Sequence, residues 1–193
     1  MRLILASQSP RRREMLALMG YEYEVIRSDA DEHVPPCEPG EFVEKLALRK
    51  ASAVFDSHQD CCVIGADTIV YLDGSIIGKP KDETEAFQTL RLLSGRTHTV
   101  YTGVSVLTHN QNILFHDTAE VTFCPLSDGE ILSYIATGEP LDKAGAYGIQ
   151  GPGSLLVARI SGCYFTVIGM PNPKLYRALR SVGVLPQWMA SFS

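Results

Sequence analysis

The chain has 193 residues, 45% of them hydrophobic and 20% charged, and a formal net charge of −5. That length suits one domain, or one with two lobes, and is enough to bury a full core. A net acidic chain is a poor fit to nonspecific duplex binding, which depends on neutralising phosphates, and no apolar run reaches the ~20 residues needed to span a bilayer.

The chain opens on Leu3-Ile4-Leu5, a short buried strand, followed by Ala6-Ser7-Gln8-Ser9-Pro10-Arg11-Arg12-Arg13. Ser9 is placed to N-cap a helix and Pro10 suits its first position. Residues 1–13 carry four arginines and no acid. Free N–H groups and arginines at one strand end form a place where phosphate would sit. An exposed basic helix start is the plainer alternative. The helix runs over 10–19 and stops at Gly20. Tyr21–Ile26 alternate as a strand, and 28–40 read as a Pro-rich loop holding Asp29, Asp31, Glu32 and Glu38. Residues 41–55 have helical apolar spacing and carry Lys50.

Val63–Val70 reads as a central strand with one acid, Asp67, inside it. Such an acid is costly unless it is paired, hydrogen-bonded or metal-bound. Thr68 points to the opposite face, towards a ligand or simply filling β space. Glu32 either stays solvated in its loop or swings in to share a divalent cation with Asp67, since Mg²⁺ needs only one or two carboxylates besides phosphates and water. Asp73-Gly74 predicts a tight hairpin into Ile76-Ile77. Lys79 follows, its backbone fixed between Gly78 and Pro80.

Asp82–Glu85 forms a capping-box pattern before a helix to about Leu93. Thr97–Leu107 and Asn112–Phe123 are two long strands. Ser127–Glu130 caps a helix to about Ala136. Residues 139–151 are rich in Gly and Ala yet hold Asp142, Lys143, Tyr147 and Gln150. Small residues permit close backbone approach to a ligand, and the Gln150 amide both donates and accepts, as reading a base edge requires. A structural Gly-rich turn is the alternative. Leu155–Ile160 and Tyr164–Ile168 read as strands, and a last helix spans roughly Lys174–Leu179. The fold class is α/β: a mixed twisted sheet flanked by helices, two-lobed with a central cleft. One catalytic domain is expected over 1–184, with a tail over 185–193.

No P-loop, Rossmann fingerprint, G-x-S-x-G elbow or histidine metal motif is present. The five cysteines, Cys37, Cys61, Cys62, Cys124 and Cys163, are odd in number and lack zinc spacing. They read as reduced thiols of a cytoplasmic protein, and no signal-peptide h-region precedes them.

Together these segments resemble the Maf family of nucleoside triphosphate pyrophosphatases. The resemblance runs from Leu3 to about residue 183. It rests on Ala6–Arg12, Gly65-Ala66-Asp67-Thr68, Gly78-Lys79-Pro80, Leu93-Ser94-Gly95, Thr102-Gly103-Val104 and Asp142–Gly151, in that order. It implies hydrolysis of a nucleoside triphosphate to the monophosphate and pyrophosphate with Mg²⁺ or Mn²⁺. It also implies a fold akin to the inosine triphosphate pyrophosphatases and a homodimer. By the same resemblance Asp67 is the proton acceptor, Glu32 its metal partner, and Ser7, Arg12, Lys50 and Lys79 the phosphate-side residues, Lys79 counting with the catalytic set. Arg11, Thr68 and Gln150 match the subgroup that cleaves dTTP and UTP, not the one acting on 7-methyl-GTP. Gly162-Cys163-Tyr164 departs from the family, which usually has a polar residue at Cys163. Membrane and stable nucleic-acid partners are not expected. Two rivals stand beside this reading: a nucleic-acid-binding module using Arg11–Arg13, and a cell-division regulator acting by contacts, since the family has been associated with septum formation.

Overall fold

The computed structural model describes residues 1–190. Its strands are β1 (Leu3–Leu5), β2 (Glu24–Val25), β3 (Cys62–Leu72), β4 (Ser75–Ile77), β5 (Thr97–Leu107), β6 (Asn112–Phe123) and β7 (Val157–Gly162). Its helices are α1 (Pro10–Leu18), α2 (Pro39–Phe55), α3 (Glu83–Leu93), α4 (Asp128–Ile135), α5 (Tyr164–Ile168), α6 (Asn172–Ser181) and α7 (Gln187–Ala190). Three short 3₁₀ turns lie between residues 139 and 156. The seven strands form a sheet in the order β2-β1-β3-β5-β6-β7, with β4 paired to β3. It is mixed: β1 is parallel to β2 and β3, while β4 and β7 pair antiparallel to β3 and β6. The α/β mixed sheet expected from the sequence is therefore the one formed. No helix among the described residues is long and apolar enough to cross a membrane. Of the expected tail, residues 191–193 lie outside the described residues.

The chain divides into two units. The first holds residues 1–67, 102–117 and 169 onward. Here β1 is buried on both faces and pairs Leu3 with Cys62 and Leu5 with Ile64. Unbroken apolar runs are what a strand covered on both faces requires. α2 lays Val43, Leu46, Ala47, Ala51 and Val54 inward at helical spacing. Ile4, Ala6, Ala51, Val54, Cys61 and Val63 form a core between them.

The second unit holds residues 68–101 and 118–168. Its larger core includes Val70, Leu90, Leu93, Phe123, Ile131 and Tyr147. Asp73 and Gly74, both at positive φ, make the two-residue turn that pairs Leu72 with Ser75. α3 is capped by Asp82 Oδ1, which accepts from the Glu85 N–H at 2.8 Å. α4 carries a full capping box between Ser127 and Glu130.

Four local expectations change. The strand expected over Tyr21–Ile26 shortens to Glu24–Val25. Ser9 occupies the N-cap position of α1, but its side chain makes no cap hydrogen bond. Tyr164–Ile168 is a helical turn, not a strand. Gly162 and Gly169 flank it at φ +122° and +103°, conformations that end a strand and redirect the chain at little cost only for glycine. Leu155 and Leu156 belong to a 3₁₀ turn, so β7 starts two residues later than the apolar pattern suggests.

Candidate active site

In the first unit, β1 delivers Ser7 to the start of α1, where its side chain is buried. Ser7 Oγ accepts from the Ser9 N–H at 3.2 Å and from Arg12 Nη1 at 3.4 Å. A hydroxyl has two acceptor lone pairs and one hydrogen, so both acceptor positions are used and the O–H remains as a donor. The Ser7–Ser9 turn explains why Ser9 does not cap the helix: the strand-to-helix corner is held from Ser7 instead. Arg12 Nε donates to the Gly169 carbonyl at 3.0 Å, which fixes the guanidinium plane. Burial lowers the Arg12 pKa, the negative charge of Asp67 opposes that shift, Arg11 adds to it and Glu32 opposes it. The first turn of α1 holds no acid and three arginines. Cations at a helix N-terminus are unfavourably placed against the macrodipole, a cost that an anion at this corner would relieve.

Asp67 lies on β3 and Lys50 on α2. Lys50 Nζ donates to Asp67 Oδ1 at 2.6 Å and lies 3.0 Å from Glu32 Oε1. The Lys50 and Asp67 side chains are 15% and 13% exposed, and that of Glu32 is 65% exposed. The costly acid in the apolar strand is thus paired, and the loop acid does swing in beside it. Two carboxylate oxygens already converge on a single cationic atom. Two carboxylates are enough for a hard divalent cation whose remaining ligands come from phosphates and water. Among the described residues no cluster of three or more His, Cys, Asp or Glu forms a closed metal cage.

Sequence reasoning missed Arg49. Its Nη1 donates to the carbonyls of Asp31 and His33, the residues on either side of Glu32. Asp31 Oδ1 accepts from the His33 N–H at 2.9 Å, closing the same turn. α2 therefore holds the Glu32 loop through Arg49 and meets the Glu32 carboxylate with Lys50. A contact to backbone carbonyls leaves no pattern in the sequence of the loop it grips.

The remaining expected site residues are placed as follows. Arg11 is partly buried in the first turn of α1. Thr68 follows Asp67 on β3 as the first residue of the second unit and is partly buried. Lys79 and Gln150 also belong to the second unit, and both are exposed. Within that unit the Gly145 N–H donates to the Gly78 carbonyl at 3.0 Å, which ties the Lys79 segment to the Gly-rich stretch carrying Gln150. Gly145 has φ +71°, and a Cβ there would lie 2.7 Å from Val70 Cγ2.

That stretch rests on buried aromatic groups. His98 Nε2 and the Tyr147 hydroxyl are 2.8 Å apart, and both rings pack edge-on with Phe123. Burial pushes the His98 pKa down to about 4 and that of Tyr147 upwards.

A family model described as Maf-like protein matches residues 2–182. A protein of Aquifex aeolicus named dTTP/UTP pyrophosphatase is 50% identical over 185 residues, covering 96% of this chain and 97% of its own. A Bacillus velezensis protein of the same name is 52% identical over 184 residues, covering 95% and 97%. Among solved structures, the Ham1 protein of Staphylococcus aureus aligns with a TM-score of 0.49 and 16% identity, over 64% of this chain and 72% of its own.

Proposed function

The chain belongs to the Maf-like protein family, and from that membership we propose that it is a dTTP/UTP pyrophosphatase, releasing the nucleoside monophosphate and pyrophosphate. The observation that carries the chemistry is the Lys50 ammonium held between Asp67 and Glu32 at 2.6 and 3.0 Å. Asp67 takes a proton from the attacking water. The water oxygen bonds to the α-phosphorus, the bond from that phosphorus to the bridging oxygen breaks, and pyrophosphate leaves with the electron pair. Lys50 orients the Asp67 carboxylate and adds positive charge beside it. Arg12, locked by Ser7 and Gly169, offers a fixed guanidinium to the phosphates, and the Ser7 O–H adds a donor. Lys79 supplies a further cation to the polyphosphate.

Glu32 and Asp67 would hold the divalent cation, which neutralises phosphate charge when bound. Arg11, Thr68 and Gln150 read the base. Gln150 presents both a donor and an acceptor, matching the alternating edge of uracil and thymine. The 1–184 span acts as one catalytic domain, in a homodimer, in the cytoplasm. The five free cysteines suit that reducing compartment.

The test is a panel of normal and modified triphosphates with the purified protein and Mg²⁺ or Mn²⁺. Higher kcat/KM on dTTP and UTP than on CTP and the purines, with pyrophosphate as the inorganic product, is the expected result. Equal rates on 7-methyl-GTP and dTTP would sink the base assignment. Release of orthophosphate with a diphosphate would sink the site of attack.

A further inference from the structure

Gln150 is an exposed residue on a loop, and a side chain that discriminates between bases must be held in place by something beneath it. In the second unit that support is Glu139. A Cβ on Gly148 would lie 2.2 Å from Glu139 Oε1, and one on Gly151 would lie 3.0 Å from Oε2. Gly148 and Gly151 bracket Gln150, and two residues after Gly151 the chain returns to the same carboxylate: the Gly153 N–H donates to Glu139 Oε2 at 3.4 Å. The loop is thus wrapped round one carboxylate, and Gly148 and Gly151 sit where a side chain would strike it.

Glu139 is itself held at both its side chain and its backbone. The Tyr134 hydroxyl accepts from the Gly148 N–H at 2.9 Å and hydrogen-bonds the Glu139 side chain. Lys143 Nζ donates to the Glu139 carbonyl at 2.7 Å and to Asp142 Oδ1 at 2.6 Å, while its aliphatic stem lies against Gly148. Tyr134 is buried, so its hydroxyl contacts are shielded from competition with water. Ile149 is buried beside the network, and Gln150 next to it faces solvent.

We propose that Glu139 is a positioning residue for base selection, its carboxylate acting as the template on which the Gly148–Gly153 loop is shaped so that Gln150 is presented in one orientation. This rests on Gln150 reading the base. Glu139 touches no reacting atom, so its loss should fall on recognition more than on turnover. A misplacement of about 1 Å at a recognition group can cost up to roughly 10²-fold.

The experiment measures kcat and KM for dTTP and CTP in Glu139→Ala, Glu139→Gln, Tyr134→Phe and Gln150→Ala, with the thermal midpoint of each. For Glu139→Ala, KM for dTTP should rise roughly 10- to 100-fold, kcat should change much less, and the dTTP/CTP preference should shrink towards that of Gln150→Ala. Glu139→Gln keeps the shape and an acceptor oxygen and should restore most of the preference. Tyr134→Phe, which removes one hydroxyl and keeps the ring, should lose part of it even if Glu139→Ala does not fold. A preference unchanged in Tyr134→Phe and in whichever Glu139 variants fold, alongside a loss in Gln150→Ala, overturns the role of Glu139 alone. A preference unchanged in Gln150→Ala overturns the base-reading role of Gln150 and this proposal with it.

Discussion

Gly65 on β3 and Ala47 on α2 approach so closely that a Cβ on Gly65 would lie 2.1 Å from the Ala47 carbonyl oxygen and 2.7 Å from the Ala51 N–H nitrogen. Lys50 lies on the helical turn between those two contacts, and Asp67 lies two residues beyond Gly65. A strand pressed directly on the helix backbone is what lets a lysine and an aspartate meet at 2.6 Å. Gly65→Ala must therefore push strand and helix apart. Overpacking of this kind costs about 1–3 kcal/mol or more. Chemical denaturation should show that loss, and activity should fall with it in the fraction that stays folded. A variant with native stability and rate would mean that β3 and α2 tolerate separation.

The grip of Arg49 on the carbonyls either side of Glu32 predicts a metal phenotype. Arg49→Met keeps the aliphatic stem and removes the donors. The concentration of Mg²⁺ giving half-maximal rate should rise roughly tenfold or more, as when other supports of metal ligands are lost. The rate at saturating Mg²⁺ should change less. An unchanged metal requirement would separate the Glu32 loop from metal binding.

His98 gives a signed pH dependence. Its ordinary pKa is 6.5 and burial holds it at about 4 in the folded chain. Above 6.5 the imidazole is neutral in both states and costs nothing. As pH falls from 6.5 towards 4 the unfolded chain takes up a proton that the folded chain refuses, so stability declines, and below about 4 the loss levels off. The full loss is on the order of 3 kcal/mol. His98→Phe removes this term, although it strips the Tyr147 hydroxyl of its partner. The variant should be less stable at pH 8 and should show a shallower fall in Tm between pH 6.5 and 4 than the parent. Parallel Tm curves would contradict the buried neutral imidazole.

Much of this could be read from residue order because local rules agreed with the fold. The Asp73-Gly74 turn, the Ser127–Glu130 box and the helical spacing of Val43 to Val54 are each settled within a few residues. Tyr164–Ile168 was not legible, because a five-residue apolar run suits strand or helix alike and the flanking glycines decide it. Asp67 stood out as an acid in an apolar strand, and the need for a partner followed from the cost of burying it. That the partner is Lys50 followed from neither spacing nor composition, since 17 residues separate the two. Arg49 and Glu139 were invisible for one shared reason: they act on backbone, and backbone groups are the same under every sequence.

We propose that Asp67 takes the proton in hydrolysis, and turnover of folded Asp67→Asn is the decisive test. The amide keeps the size and can still accept from Lys50, so the thermal midpoint should stay near that of the parent. It cannot take a proton from water, so kcat on dTTP should fall by roughly 10²–10⁴-fold at saturating Mg²⁺. A folded Asp67→Asn enzyme turning over dTTP at close to the parent rate would rule Asp67 out as the proton acceptor.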